Sequence, residues 1–170
     1  LSRGLGDVYK RQDKSLLDEM LSAANLAPSW KNSQTPRFYV ATGEKSKNAV
    51  REALPEFNRK NSENASAYIV TTVVLNRSGF DKDGTAVTEI GNGWGYYDLG
   101  LNNMALLLKA TELGISTLVM GIRDGEKLRK GFDIPETEAV VSVIAVGYTD
   151  SEIVRPKRKS VEDFAKFYED

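Results

Sequence analysis

Residues 96–113 read YYDLGLNNMALLLKATEL, and this stretch decides the fold. Leu99, Leu101, Met104, Leu106, Leu107, Leu108 and Leu113 recur so densely that, wound at helical spacing, they cover most of the circumference. A helix apolar nearly all round is buried, either inside its own core or against a partner subunit. Gly114 follows as a well-placed C-cap. The longest unbroken apolar run, MALLL at 104–108, falls far below the roughly 20 residues of a membrane span.

Working outward, residues 115–120 read as a strand and 125–131 as a short helix. Residues 139–148 and 68–75 (YIVTTVVL) are rich in β-branched residues and too apolar for a sheet edge, so both are expected to be central strands. Between the second of these and the long helix, residues 76–95 are polar and glycine-rich, ending in GNGWG, and read as a long loop. Upstream, Leu16, Leu17, Met20, Leu21, Ala24 and Leu26 keep helical spacing behind Asp13 as N-cap, and Ala27-Pro28-Ser29 stops that helix. A strand is expected at 38–41 and a helix at 44–54, closed by Pro55. Ser160-Val161-Glu162-Asp163 has the form of a capping box opening a last helix. With no internal repeat and no linker, residues 13–170 are expected to form one α+β domain.

Composition narrows the chemistry. Among 170 residues there is no histidine and no cysteine, which removes Cys/His zinc sites, Ser-His-Asp triads, Cys-His pairs and histidine bases together. A net charge of −1 gives no whole-protein field to draw in nucleic acid. No metal ligand set and no catalytic side chain stand out, so a bound cofactor is the natural carrier of any reaction. The GNGWG stretch is not a G-x-G-x-x-G turn after a strand, and no Walker A sequence is present. No apolar stretch near the first residue reads as a signal peptide, so the expected setting is the cytoplasm.

Three ordered segments carry a resemblance. Ala27-Pro28-Ser29-Trp30-Lys31-Asn32-Ser33-Gln34, followed by Thr35-Pro36-Arg37-Phe38, resembles the A-P-S-x-x-N-x-Q-P-W-x-F segment of the FMN-dependent nitroreductase family, with Thr35-Pro36 in place of Pro-Trp. Tyr97-Asp98-Leu99-Gly100, leading through Leu113-Gly114-Ile115-Ser116-Thr117 to Leu118-Val119-Met120-Gly121, resembles the family's dimer helix and the strand after it. Pro156-Lys157-Arg158-Lys159-Ser160-Val161-Glu162-Asp163 resembles its K-R-K-P-L-E-E element, with Ser160 for proline. Phe57-Asn58 is a looser fourth match.

The resemblance implies a nitroreductase-like, mostly antiparallel central sheet flanked by helices, in an intertwined homodimer. It implies FMN as cofactor and NADH or NADPH as electron donor, with hydride passing by a ping-pong route through flavin N5 to nitroaromatic- or quinone-like acceptors. Pro28, Ser29, Trp30, Asn32 and Gln34 would approach the flavin of the partner subunit. Leu118, Val119, Met120 and Gly121 would pass beside N5, with the Met120 and Gly121 backbone nearest. Asn58 would bond the pyrimidine edge, and Lys157 and Arg158 the phosphate, where a guanidinium binds bidentately. Trp30 and Trp94 are candidate pocket walls, at least one of them more simply core.

One departure concerns the first twelve residues. The family's R-R-S-x-R flavin signature would lie just upstream of the first helix, and no residues in the 1–12 segment match it. Asp7-Val8-Tyr9-Lys10-Arg11-Gln12 is what GAT GTG TAT AAG AGA CAG encodes, the end of a transposon-based sequencing adaptor, so native sequence is expected to begin near Asp13 and residues 1–12 to be a non-native or disordered tail. Each lost charge-assisted phosphate contact would cost about 1.5–3 kcal/mol. Two other readings stay open beside the enzyme: another flavin reaction on the same fold, such as dehalogenation, and a non-catalytic or flavin-free fragment.

Overall fold

The two β-branched stretches do occupy the middle of the sheet. The computed structural model describes residues 13–150 and 154–169, so the adaptor-like segment lies outside the described residues. Strands β1 (Pro36–Ala41), β2 (Ala67–Val74), β3 (Ser116–Met120) and β4 (Glu138–Gly147) form one antiparallel sheet in the order β1-β2-β4-β3. Antiparallel strands commonly alternate apolar and polar because one face meets water. Here both faces are covered. Tyr68, Val70, Val143 and Ala145 point into one core with Val50, Leu54 and Leu128. Ala67, Ile69, Ile144 and Val146 point into another with Leu17, Met20, Leu106 and Ala110. The near-continuous apolar reading of β2 and β4 follows from this two-sided burial.

Helices α1 (Lys14–Asn25) and α4 (Gly93–Glu112) cover one face; α2 (Glu44–Glu52) and α5 (Gly125–Gly131) cover the other, and α3 (Glu56–Asn61) lies between α2 and β2 in the chain. Asp13 caps α1 by accepting from Ser15 N at 2.9 Å, and Gly114 ends the α4 region at φ +70°, both as the sequence implies. Among the described residues no helix is long and apolar enough to cross a membrane.

Four features depart from the sequence reading by two residues or more. Helix α4 begins at Gly93 rather than Tyr96. Glycine is a poor helix former, but a Cβ on Gly95 would come within 2.7 Å of Val73 Cγ2, so its absence lets the helix lie close on β2. Helix α2 ends at Glu52, and after Pro55 the polar six-residue α3 appears, which has no buried residue to mark it. Strand β1 starts two residues earlier, at Pro36. The Ser160–Asp163 capping box forms, yet it opens only a 3-10 turn at Val161–Asp163, not a helix. The residues after it are mostly exposed, with no apolar face to hold further turns.

A buried polar cluster ties three strands together. Glu138, only 7% exposed, accepts from Tyr39 Oη at 2.9 Å and from Thr72 Oγ1. Burial, followed by the bond to Glu138, pushes the Tyr39 phenol up to about 12 from 10.0. A raised pKa stabilises the fold below the unfolded value, and this contribution is lost as pH climbs from about 10 to about 12. The gap in urea midpoint between the protein and Tyr39→Phe should therefore narrow across that window. A gap that stays constant through it would contradict the assignment.

Candidate functional site

The segment between α1 and β1 is a tight polar turn held in an unusual backbone. Lys31, Asn32 and Gln34 have φ of 44°, 54° and 49°, three non-glycine residues in the left-handed region within four positions. Such conformations cost on the order of 1–3 kcal/mol each and persist only where surrounding contacts over-determine them. Those contacts are present. Ser29 Oγ accepts from Gln34 N at 3.0 Å, and Arg37 folds back to donate to the carbonyls of Gln34 (2.7 Å) and Pro36 (2.8 Å). Trp30 N donates to both carboxylate oxygens of Asp98, each at 3.1 Å.

Loop 76–92 covers the turn from outside. Trp30 and Trp94 pack with ring centroids 4.7 Å apart and a 45° tilt, and Trp94 meets Tyr97 edge-on at 5.8 Å. Trp94 Nε1 donates to Thr88 Oγ1 at 2.7 Å, and Lys31 pairs with Asp81 at 3.4 Å on the surface. Both tryptophans are half-buried, so each helps wall the turn rather than the core. Within this loop the Thr85 backbone amide holds the Asp83 carboxyl below its usual range.

Buried in the same turn, Trp30 Nε1, Ser33 Oγ and Thr35 Oγ1 have no hydrogen-bond partner among the described residues. Ser29 and Gln34 also line a cleft with Leu21, Asn25, Arg37, Phe38 and Asn102, of about 180 Å³. Pockets that enclose a ligand of drug size run to ~300–1,000 Å³, so this cleft alone encloses no molecule as large as a flavin.

The second predicted group lies where β3 ends. Leu118 packs on the core and the Met120 side chain is buried, while Val119 is exposed. At Met120 and Gly121 only backbone is therefore offered, and nothing lies within 4 Å of where a Cβ on Gly121 would stand. Asn58 Nδ2 donates to Ile122 O at 3.0 Å, joining α3 to this strand exit. Phe57 and Ile122 stand exposed nearby in the chain, at 66% and 74%. The loose Asn58 match and the strand-end match thus fall together in space.

The other predicted residues are not brought to them. The turn precedes β1 and the Gly121 exit follows β3, the two opposite edges of the sheet. The ladder runs Met120–Val143–Val70–Tyr39, so both groups lie toward one end of the sheet, on strands three spacings apart, roughly 14 Å. Arg158 donates to Pro156 O at 3.4 Å within its own exposed segment, and among the described residues neither it nor Lys157 bonds the turn or β3. Sequence reasoning gave no role to Ser78 or Asp98. The signal was readable for Asp98 alone: a carboxylate on the stripe of α4 that also carries Leu99, Asn102, Leu106 and Ala110.

Comparison with known proteins gives this geometry a family. Among solved structures the chain is similar to a nitroreductase family protein from Streptococcus pneumoniae, at 20% identity and TM-score 0.82 over 99% of this chain and 95% of that one. It is similar to the enone reductase CLA-ER of gut-bacterial fatty acid saturation at 20% identity and TM-score 0.83, over 98% and 92%. It is similar to an oxidoreductase containing FMN at 25% identity and TM-score 0.72, over 88% and 73%. No curated protein matches the chain. The description of the nitroreductase family matches residues 10–148, which takes in the turn, Asn58 and the β3 exit and stops before Lys157 and Arg158. Two-sided antiparallel sheet, strained turn and matched span agree, and the chain belongs to the nitroreductase family.

Proposed function

We propose that this chain is a cytoplasmic FMN-dependent NAD(P)H oxidoreductase acting as a homodimer. The observation that carries the reading is the family match over residues 10–148, which spans a turn whose strained backbone has no other evident use. Bound FMN would supply the redox chemistry, taking hydride from NADH or NADPH and passing it to a nitroaromatic- or quinone-like acceptor.

The residues present fit that group in part. Orphaned polar atoms at Trp30, Ser33 and Thr35, beside the exposed amides of Asn32 and Gln34, suit the polar rim of a flat heterocycle. Pro28 and Ser29 would give the turn its shape beneath the ring. The open backbone at Gly121 suits a ring approaching edge-on, with Asn58 ready to exchange its Ile122 bond for the pyrimidine edge. Lys157 and Arg158 would neutralise the phosphate.

A homodimer accounts for the separation of these groups. In the proposed dimer one flavin would meet the turn of one chain and the strand end of the other. Tyr97, Met104 and Leu108 leave α4 exposed at 60%, 52% and 59%, as a face for such a partner. Phe164, Phe167 and Tyr168, exposed at 71%, 75% and 82%, would reach across it as an arm.

The test uses purified protein titrated with FMN and then mixed with NADH or NADPH without oxygen. Flavin binding, loss of its yellow absorbance and recovery on adding a nitroaromatic or a quinone are the expected sequence. Binding without loss of colour would leave a flavin protein that is no NAD(P)H oxidoreductase. Protein that binds no FMN would sink the proposal.

A further inference from the structure

The turn is strained, and something must hold it. We infer that Asp98 is the positioning residue of the flavin-facing turn, holding Lys31, Asn32 and Gln34 in their left-handed conformation from inside the protein. This rests on the proposed FMN function for its consequence, though not for the clamp itself. Asp98 is 2% exposed and, among the described residues, makes no ion pair. Its carboxylate is spent on two groups: Trp30 N donates to both oxygens, and Ser78 Oγ, itself 1% exposed, donates to Oδ2. A buried acid without a cation is costly unless it is well hydrogen-bonded, so its place here follows from the bonds it makes.

The direction of each bond matters. Trp30 begins the 3-10 turn, and its amide lies one peptide plane ahead of the one from which the backbone turns left-handed at Lys31. Fixing that amide leaves only the Trp30 φ and ψ between the clamp and the run of positive-φ residues. Ser78 lies in loop 76–92, whose Thr88 accepts from Trp94 of α4, so one carboxylate joins α4, the turn and the covering loop. Asp98 touches neither the proposed flavin nor a substrate; it acts through Trp30.

Three variants test this: Asp98→Ala, Asp98→Asn and Ser78→Ala, each read by FMN affinity, by hydrogen exchange at the Trp30 amide and by near-ultraviolet circular dichroism. Trp30 and Trp94 are the protein's two tryptophans, so their coupled signal reports the turn whether or not flavin is present. Asp98→Ala should weaken FMN binding about 10- to 150-fold, the worth of charge-assisted bonds, and speed Trp30 exchange by a like factor. Asp98→Asn, which keeps one acceptor oxygen, should recover a large part of both losses. Ser78→Ala should weaken FMN less, by up to ~10-fold.

Wild-type FMN affinity with unchanged Trp30 exchange in Asp98→Ala would overturn the inference. If Asp98→Ala does not fold, the other two variants decide: wild-type values in both overturn it. A fall in global stability with no change in affinity, exchange or tryptophan signal means an ordinary core role and also overturns it. Should the wild-type protein bind no FMN, the proposed function fails, while the exchange and dichroism results still judge the clamp.

Discussion

Leu108→Glu should turn the proposed homodimer into a monomer and release its flavin. On α4 the apolar residues Tyr97, Leu101, Met104 and Leu108 follow at steps of four, three and four, one stripe along the helix. That stripe lies opposite the buried one of Leu99, Leu106 and Ala110, and it meets no part of the described chain's core. In a two-fold dimer each substitution enters the interface twice. An isolated carboxylate moved into an apolar contact costs several kcal/mol even after relaxation, which exceeds what a stripe of this length regains. Because turn and strand exit stand at opposite edges of the sheet, separated chains would each keep half of the proposed flavin site. Light scattering should then give a mass near the 18.8 kDa of one chain, with flavin absorbance lost from the same peak. Leu108→Met, which keeps the apolar stripe, should leave both unchanged. A Leu108→Glu protein that remains a yellow dimer would place the interface elsewhere.

What the sequence made legible follows from what periodicity can encode. Strands β2 and β4 stood out because burial on both faces erases the polar alternation that blurs most antiparallel strands. The long helix stood out because apolar residues line two of its stripes, one buried in the core and one exposed. Helix α3 was invisible because it buries nothing. The start of α4 was misread because Gly93 and Gly95 disfavour a helix locally, while the contact of Gly95 with Val73 lies in tertiary space. The site was legible as three matching segments and illegible as a site. No pattern along the chain says that residues 28–34 and 118–121 lie at opposite edges of one sheet, or that Asp98, 68 positions from Trp30, holds the first of them.

Gly79→Ala should be among the most destabilising single changes, although it adds one methyl group in a polar loop. Gly79 has φ +85°, where an L side chain costs about 1–2 kcal/mol. A Cβ there would also stand 2.6 Å from Gly91 O and 2.7 Å from Trp94 Cδ1. The first of these is backbone and the second a large ring packed on Trp30, so neither yields by a rotamer change. Overpacking of this kind adds roughly 1–3 kcal/mol. Together the two terms give about 2–5 kcal/mol, or a fall of roughly 5–15 °C in melting temperature for a domain of this size. Gly84 separates them. It has nearly the same φ, +84°, with nothing within 4 Å of its would-be Cβ, so Gly84→Ala carries the backbone cost alone. Calorimetry should find Gly79→Ala the worse by several degrees, and should find its near-ultraviolet tryptophan signal altered where that of Gly84→Ala is not. Equal losses would mean that the loop does not rest on Trp94, and the covering of the turn would then need another cause.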